Sequence, residues 1–307
     1  MSTTFTFGTL CSGIEAASEA FLPIGAECRY VAEIEPYPCG VLADRHGAGK
    51  PLRMPPPDEA ADEKARRERA AAIRAVERFE RWGTRLPNFG DLTQIDPVEL
   101  PPVDLLVAGF PCQDFSIAGL RQSLAGSRGN LTLFGVKLIH ELVRLHRIRN
   151  VLLEQVPDIL NTKDNAFGAL LGGLVGHDAP IVSPLKGRRW TNSGVAHGPF
   201  GAAAWRVEDA QYSDVAQRRE RLFLVAGFGE GPDPVEVLLE REGLSRNPPA
   251  RVQPSEVLTR LVACGPEVAG ADAGWEEDGR AAAEVCVPFG CDYGQHIGRP
   301  LVAPPRR

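Results

Sequence analysis

This sequence predicts an α/β fold: a Rossmann-like, doubly wound and mostly parallel sheet with a small irregular region at its C-terminal end. Two observations carry the prediction. Over the first 46 residues, short apolar runs alternate with stretches of helical apolar spacing, the order that builds parallel sheets with covered faces. Farther on, Val103-Asp-Leu-Leu-Val-Ala108 is a continuous apolar run, as expected of a strand buried on both sides.

The elements follow in order. Phe5 to Leu10 reads as a strand ending in the turn Cys11-Ser-Gly, and Ile14 to Leu22 carries apolar residues at helical spacing. Cys28 to Ile34 is a second strand and Tyr37 to His46 a second helix. Residues 51–89 break the alternation: Pro55-Pro-Pro57 precedes a mixed-charge, alanine-rich stretch, Asp58 to Trp82, that predicts one long solvated helix. That helix is either a surface insertion or an arm contacting phosphates. The sheet resumes at 103–108, then come helix Leu131 to Leu145 and strand Val151-Leu-Leu153. Residues 163–204 are glycine-rich and weakly periodic, while Trp205-Arg-Val-Glu and Arg221 to Gly227 predict two final strands. Beyond Phe228 Pro, Gly and Glu rise and periodicity fades, which sets domains at 1–228 and 229–307.

Composition narrows the function classes. No apolar run reaches the ~18 residues of a membrane span, and the N-terminus lacks the charged and apolar regions of a secretion signal. Seven cysteines without a Cys-x-x-Cys pair argue against a disulfide framework and against a metal site, and for reduced thiols in the cytoplasm. A formal net charge of −6 weighs against a nucleic-acid partner, although a local basic patch suffices to grip one face of a duplex. Arginines do cluster, at 66–85 and at 188, 189, 218, 219 and 221.

Several residues stand where α/β sheets bind ligands. The loop Thr9-Leu-Cys-Ser-Gly13-Ile-Glu-Ala16 joins strand to helix, so it is either a plain turn or a place where backbone approaches a nucleotide. Glu33 and Glu35 end the second strand and are either ribose acceptors or surface acids; Gly90-Asp91 offers the same choice near an adenine edge. Cys112 leaves the central strand in Ala108-Gly-Phe-Pro-Cys-Gln-Asp-Phe-Ser116. As a residue type it is equally a small buried hydrophobe or a nucleophile. Glu154 closes the apolar strand Val151-Leu-Leu-Glu-Gln-Val-Pro157, where a carboxylate needs a task or a partner. Arg219 and Arg221 alternate in Gln217-Arg-Arg-Glu-Arg221, so both can face one side.

Taken together and in this order, the glycine loop, acidic strand end, Gly-Asp, Pro-Cys-Gln, Glu-Gln-Val and Gln-Arg-Arg-Glu-Arg resemble the DNA cytosine-C5 methyltransferase family over roughly residues 5–228. The resemblance implies the class I S-adenosylmethionine-dependent methyltransferase fold, with double-stranded DNA as partner. It implies an S-adenosylmethionine site lined by Leu10, Cys11, Ser12, Gly13, Ile14, Glu15, Glu33, Ile34, Asp91, Leu92, Pro111, Asn130 and Leu131. Arg128-Gly-Asn130 corresponds to the closing of a mobile loop over the target base. Cys112 would attack C6 of a flipped-out cytosine, Glu154 would support N3 and the exocyclic amine, and Arg221 with Arg219 would hold O2. The setting this implies is a restriction-modification system or a bacteriophage.

Three departures are visible. Cys11 stands where the family usually has Phe, Glu15 where a second Gly is common, and Gln155 where Asn is usual. The family's two closing motifs are not found after Phe228, which leaves room for a second polypeptide to supply them. Other readings remain open: a tRNA cytosine-C5 methylase, and a non-catalytic or partner-dependent DNA-binding remnant. A nicotinamide dehydrogenase is the weakest, since the glycine loop is sparse and the thiol has no role there.

Overall fold

A computed structural model describes residues 4–110, 131–185, 189–213, 217–239 and 285–286. Cys112, Pro111, Asn130 and the Arg128-Gly-Asn130 stretch lie outside the described residues, as does most of the region after Leu239.

One sheet organises the chain. Its strands are β1 (Thr6–Leu10), β2 (Glu27–Tyr30), β3 (Leu105–Ala108), β4 (Asn150–Gln155), β5 (Ser193–Gly198), β6 (Gly201–Asp209), β7 (Glu220–Phe228) and β8 (Val285–Cys286), in spatial order β2-β1-β3-β4-β7-β6-β5-β8. The first four are parallel to one another and the last four join antiparallel. The expected parallel core is therefore present, and half of the sheet is an antiparallel meander.

Helices cover both faces, as a doubly wound sheet requires. They are α1 (Ala16–Phe21), α2 (Pro36–His46), α3 (Glu63–Arg78), α4 (Leu131–Arg144), α5 (Ala166–Val175) and α6 (Pro234–Leu239). Phe5, Phe7 and Leu105 pack with Phe21 of α1 on one side. Leu106, Ala108, Val151 and Leu153 join α4 and α5 in the main core on the other. Strand alternation sends neighbouring residues of β3 to opposite faces, and an unbroken apolar run is what that demands. Side chains such as Leu106, Ile139 and Leu153, all buried, each contribute about 1.5–3 kcal/mol. No described helix is long and apolar enough to cross a membrane.

The weakly periodic stretch 163–204 holds α5 and β5. Every residue of α5 but Gly173 is buried, and Gly168 and Gly172 sit against the carbonyls of Ile181 and Ala179. A helix buried all round leaves no polar face to mark its period. Trp190, Trp205 and Phe167 pin it to the meander, with ring centroids 5.1–5.6 Å apart.

The long helix is shorter than its composition suggests. Asp62 caps α3 by accepting from the Ala65 amide at 2.8 Å. The helix ends at Arg78, its one buried residue is Val76, and Glu63 pairs with Arg66 and Arg67 on its surface. The chain then returns to the core, where Leu86 bridges Ala48 and Asn88 bridges Val31 in parallel.

Candidate active site

Register decides which residues meet. Leu10 stands opposite Ala108 and Ala108 opposite Leu153, so the loop after β1, the chain leaving β3 and Glu154 emerge along one edge. This is the carboxyl edge of a parallel sheet, where such folds bind ligands.

The loop after β1 is a tight, closed structure. Cys11, Gly13 and Glu15 all take left-handed backbone, with φ of 51°, 56° and 69°. Nothing lies within 4 Å of where a Gly13 side chain would project, so a ligand can approach its backbone closely. At position 15 the strain of a non-glycine residue is offset by capping. The buried Glu15 carboxylate accepts from the Thr9 hydroxyl at 2.7 Å and from the amide and hydroxyl of Ser18 at 3.2 and 3.1 Å. Burial pushes its pKa above the usual carboxylate range, against those hydrogen bonds. Ser12 binds the loop to the segment after β2 through the Ala32 amide, 3.0 Å.

Glu33 is more occupied than its place at a strand end suggested. Its carboxylate accepts from the amides of Gly13 at 2.7 Å and of Ile34 and Glu35 at 2.8 Å. It is buried, with its pKa raised by that burial. Its first task is thus to hold the loop, while Glu35 is the exposed acid of the pair. Asp91 is buried as well. One of its oxygens accepts from the amide and hydroxyl of Thr93 at 2.9 and 2.8 Å, the other from Gln94 at 2.7 Å. Leu92 belongs to the main core, and Leu131 packs against it.

Sequence reasoning missed the residue that joins these parts. Asn88, 1% exposed, accepts from the amides of Glu33 and Gly90, both at 3.0 Å. Its position before Phe89-Gly-Asp91 was the one available signal. Cys11 lies close enough to Glu33 and Asp91 to feel both: burial, then these two charges, pushes its thiol up to about 12. Cys28 and Cys39 are pushed up to about 12 too, chiefly by burial, so none of the three is a thiolate at neutral pH.

The other half of the site is built from side chains facing each other. Glu154 stands opposite Phe223 across the β4–β7 pair, and Arg221 Nε meets Glu154 Oε1 at 2.5 Å. Both remain partly exposed, 41% and 27%. The partner that Glu154 needs is therefore the last of the three arginines of Gln217-Arg-Arg-Glu-Arg221. Arg219 is not part of that pair: its side chain is exposed and its amide donates to Asp209 at 2.9 Å. Gln155, 2% exposed, donates to the Phe110 carbonyl at 2.9 Å, and the Gly109 amide donates to Leu10. These contacts fix the direction in which the chain leaves β3 toward residue 112.

Residues 75–174 match the model of the C-5 cytosine-specific DNA methylases, a stretch that contains Asp91, Cys112 and Glu154. A DNA N-6-adenine-methyltransferase of Escherichia phage P1 is 35% identical over 292 residues, 86% of this chain and 34% of that protein. The type II methyltransferase M.NgoBV of Neisseria gonorrhoeae is 31% identical over 148 residues, 47% of this chain and 30% of that one. The chain spans about a third of the length of the curated relatives it matches. Among solved structures, the Dnmt2 methyltransferase of S. pombe is 12% identical with a TM-score of 0.44, covering 79% of this chain and 57% of that one.

Proposed function

From the C-5 cytosine-specific DNA methylase segment that this chain carries, we propose that it transfers a methyl group to C5 of cytosine in DNA, with Cys112 as nucleophile and S-adenosylmethionine as donor. The observation that carries this reading is the Glu154–Arg221 pair at the edge where the chain leaves β3 for Cys112. The domain at 1–228 would do the chemistry and residues 229–307 would help read the target.

Each group has a chemical task. Cytosine C5 is a poor nucleophile. Addition of the Cys112 thiolate to C6 forms an S–C6 bond and moves an electron pair onto the ring, leaving C5 enamine-like. Glu154 hydrogen-bonds at N3 and the exocyclic amine as charge develops there, and Arg221 holds Glu154 in place and reaches toward O2. Bound S-adenosylmethionine supplies an electrophilic methyl on a positive sulfur. Once C5 has taken the methyl, with the methyl–sulfur bond broken and the donor left as a neutral thioether, C5 loses its proton to solvent, the S–C6 bond breaks and the thiolate returns. Cys112 can reach C6 only if the base leaves the stack, so the reading includes base flipping.

The residues around the first loop suit the donor. Gly13 leaves open space for close approach, Ile14 and Glu35 are exposed beside it, and Glu33 and Asp91 sit buried behind. A nucleoside with a cationic sulfur suits a loop backed by carboxylates.

Transfer to the adenine amine is the second reading, favoured by the activity in the name of the phage P1 relative. An amine attacks the methyl directly and needs no thiol, so Pro-Cys-Gln and the Glu154–Arg221 pair would have no task in it. Trapping separates the two. A duplex containing 5-fluorocytosine, which cannot lose the C5 substituent, should give a denaturation-resistant adduct in the presence of S-adenosylmethionine. Cys112→Ala should abolish that adduct. Methyl transfer without any adduct would sink the cytosine reading.

A further inference from the structure

A row of arginines along the antiparallel half is left unused by the chemistry above. β4 ends, β7 begins, β6 ends and β5 begins along one edge, because Gln155 pairs with Leu222, Asp209 with Glu220 and Arg206 with Ser193. Arg218 and Arg219 stand immediately before β7, and Arg189 shortly before β5. The Trp190 amide donates to the Leu160 carbonyl at 3.2 Å, which brings Arg189 to the turn that follows β4 and Glu154.

These cations are exposed and poorly neutralised. Among the described residues Arg189 and Arg219 have no carboxylate within ion-pairing distance, and Arg218 has Asp209 and Glu220 only at 4.0 Å. The acids nearby have other work. Asp209 is buried and accepts from the amides of Gln211 and Arg219, and Glu208 pairs with Arg206. The backbone under the row is also fixed. The Trp190 indole donates to Asn165 at 2.9 Å and its ring packs on Phe167 and Trp205. Two strand spacings, ~10 Å, separate β7 from β5. Phosphates along one DNA strand rise ~3.4 Å each along the helix axis, so a row of that length can meet more than one of them.

We infer that Arg189 and Arg218, alongside Arg219, form a phosphate-binding rim that seats the DNA backbone beside the target base. The inference rests on the DNA-methylation reading and locates its partner. A chain with a net charge of −6 has to concentrate positive charge where it touches a duplex, and this rim adjoins the reacting edge.

The test is duplex binding against salt, by fluorescence anisotropy with a cytosine-containing DNA, for the wild type, Arg189→Ala/Arg218→Ala and Arg189→Lys/Arg218→Lys. Both side chains are exposed, so the fold should survive, and S-adenosylmethionine binding serves as the check. The alanine pair should weaken binding and make the slope of log affinity on log salt shallower by about 2, and the lysine pair should restore it. An unchanged slope overturns the inference. So does failure of the lysine pair to restore the slope, or a loss seen on an RNA hairpin but not on the duplex. If the slope flattens while the wild type forms no 5-fluorocytosine adduct, the rim stands and the methylation reading falls.

Discussion

The two halves of the sheet place charge in opposite ways. In the parallel half, Glu15, Glu33 and Asp91 are buried and spend their oxygens on hydrogen bonds to nearby backbone amides and side chains. Where the antiparallel half joins it, Glu154 of β4 meets Arg221 of β7 side chain to side chain at a partly open edge, and Arg189, Arg218 and Arg219 of that second half face solvent. Carboxylates satisfied by fixed neighbours hold a loop in one shape, which suits a small ligand. Exposed and paired charges stay available to a large partner that must arrive, distort and leave. The first arrangement is a matter of stability; the second is a matter of recognition and rate.

Arg221→Ala should expose this division most sharply. Leaving Glu154 without its cation is expected to lower methyl transfer about 10²–10⁴-fold. Binding of S-adenosylmethionine, built in the other half, should stay within about twofold. Isothermal titration beside a transfer assay measures both, and a matching loss of cofactor binding would erase the division.

Asn88→Leu should act on the parallel half alone. It strips the acceptor from two buried amides, those of Glu33 and Gly90, and should cost about 2–6 kcal/mol in urea unfolding. Cofactor binding should weaken with it, while the salt dependence of duplex binding stays as in the wild type. A change in that slope would show the halves to be coupled.

The smallest effect expected is on pH dependence. Burial raises the pKa of Glu15, so its ionised form is disfavoured in the folded protein relative to the unfolded chain. Its contribution is most favourable below the ordinary carboxylate value and is lost as pH rises through the raised one. Glu15→Gln removes that titration. Relative to the wild type, the variant should therefore gain stability as pH rises from about 4.5 toward neutrality, a trend that thermal melts across the range would show. A constant difference would mean that Glu15 does not titrate in the fold.

Much of this was legible in the sequence for a local reason. The runs 5–10, 103–108 and 151–153 are apolar because both faces of their strands are covered, with Gly13 in the loop after the first and Glu154 near the end of the last. What was not legible depends on distant pairing. Asn88 reads as a loop residue until β2 lies beside it, and Gln155 reads as a tolerable change until it reaches Phe110. α5 was hidden because complete burial removed its polar face, and β5 because its centre is apolar without alternation. Glu33 reads in the sequence as an acid at a strand end, and its bond to the Gly13 amide depends on left-handed turns that the sequence does not display.

The most direct test of the central claim is the identity of the product. DNA methylated by this protein with isotopically labelled S-adenosylmethionine should be digested to nucleosides and resolved by mass spectrometry. Label is expected in 5-methylcytosine, and none there when Cys112 is replaced by Ala. Label in N6-methyladenine, undiminished by that replacement, would contradict it.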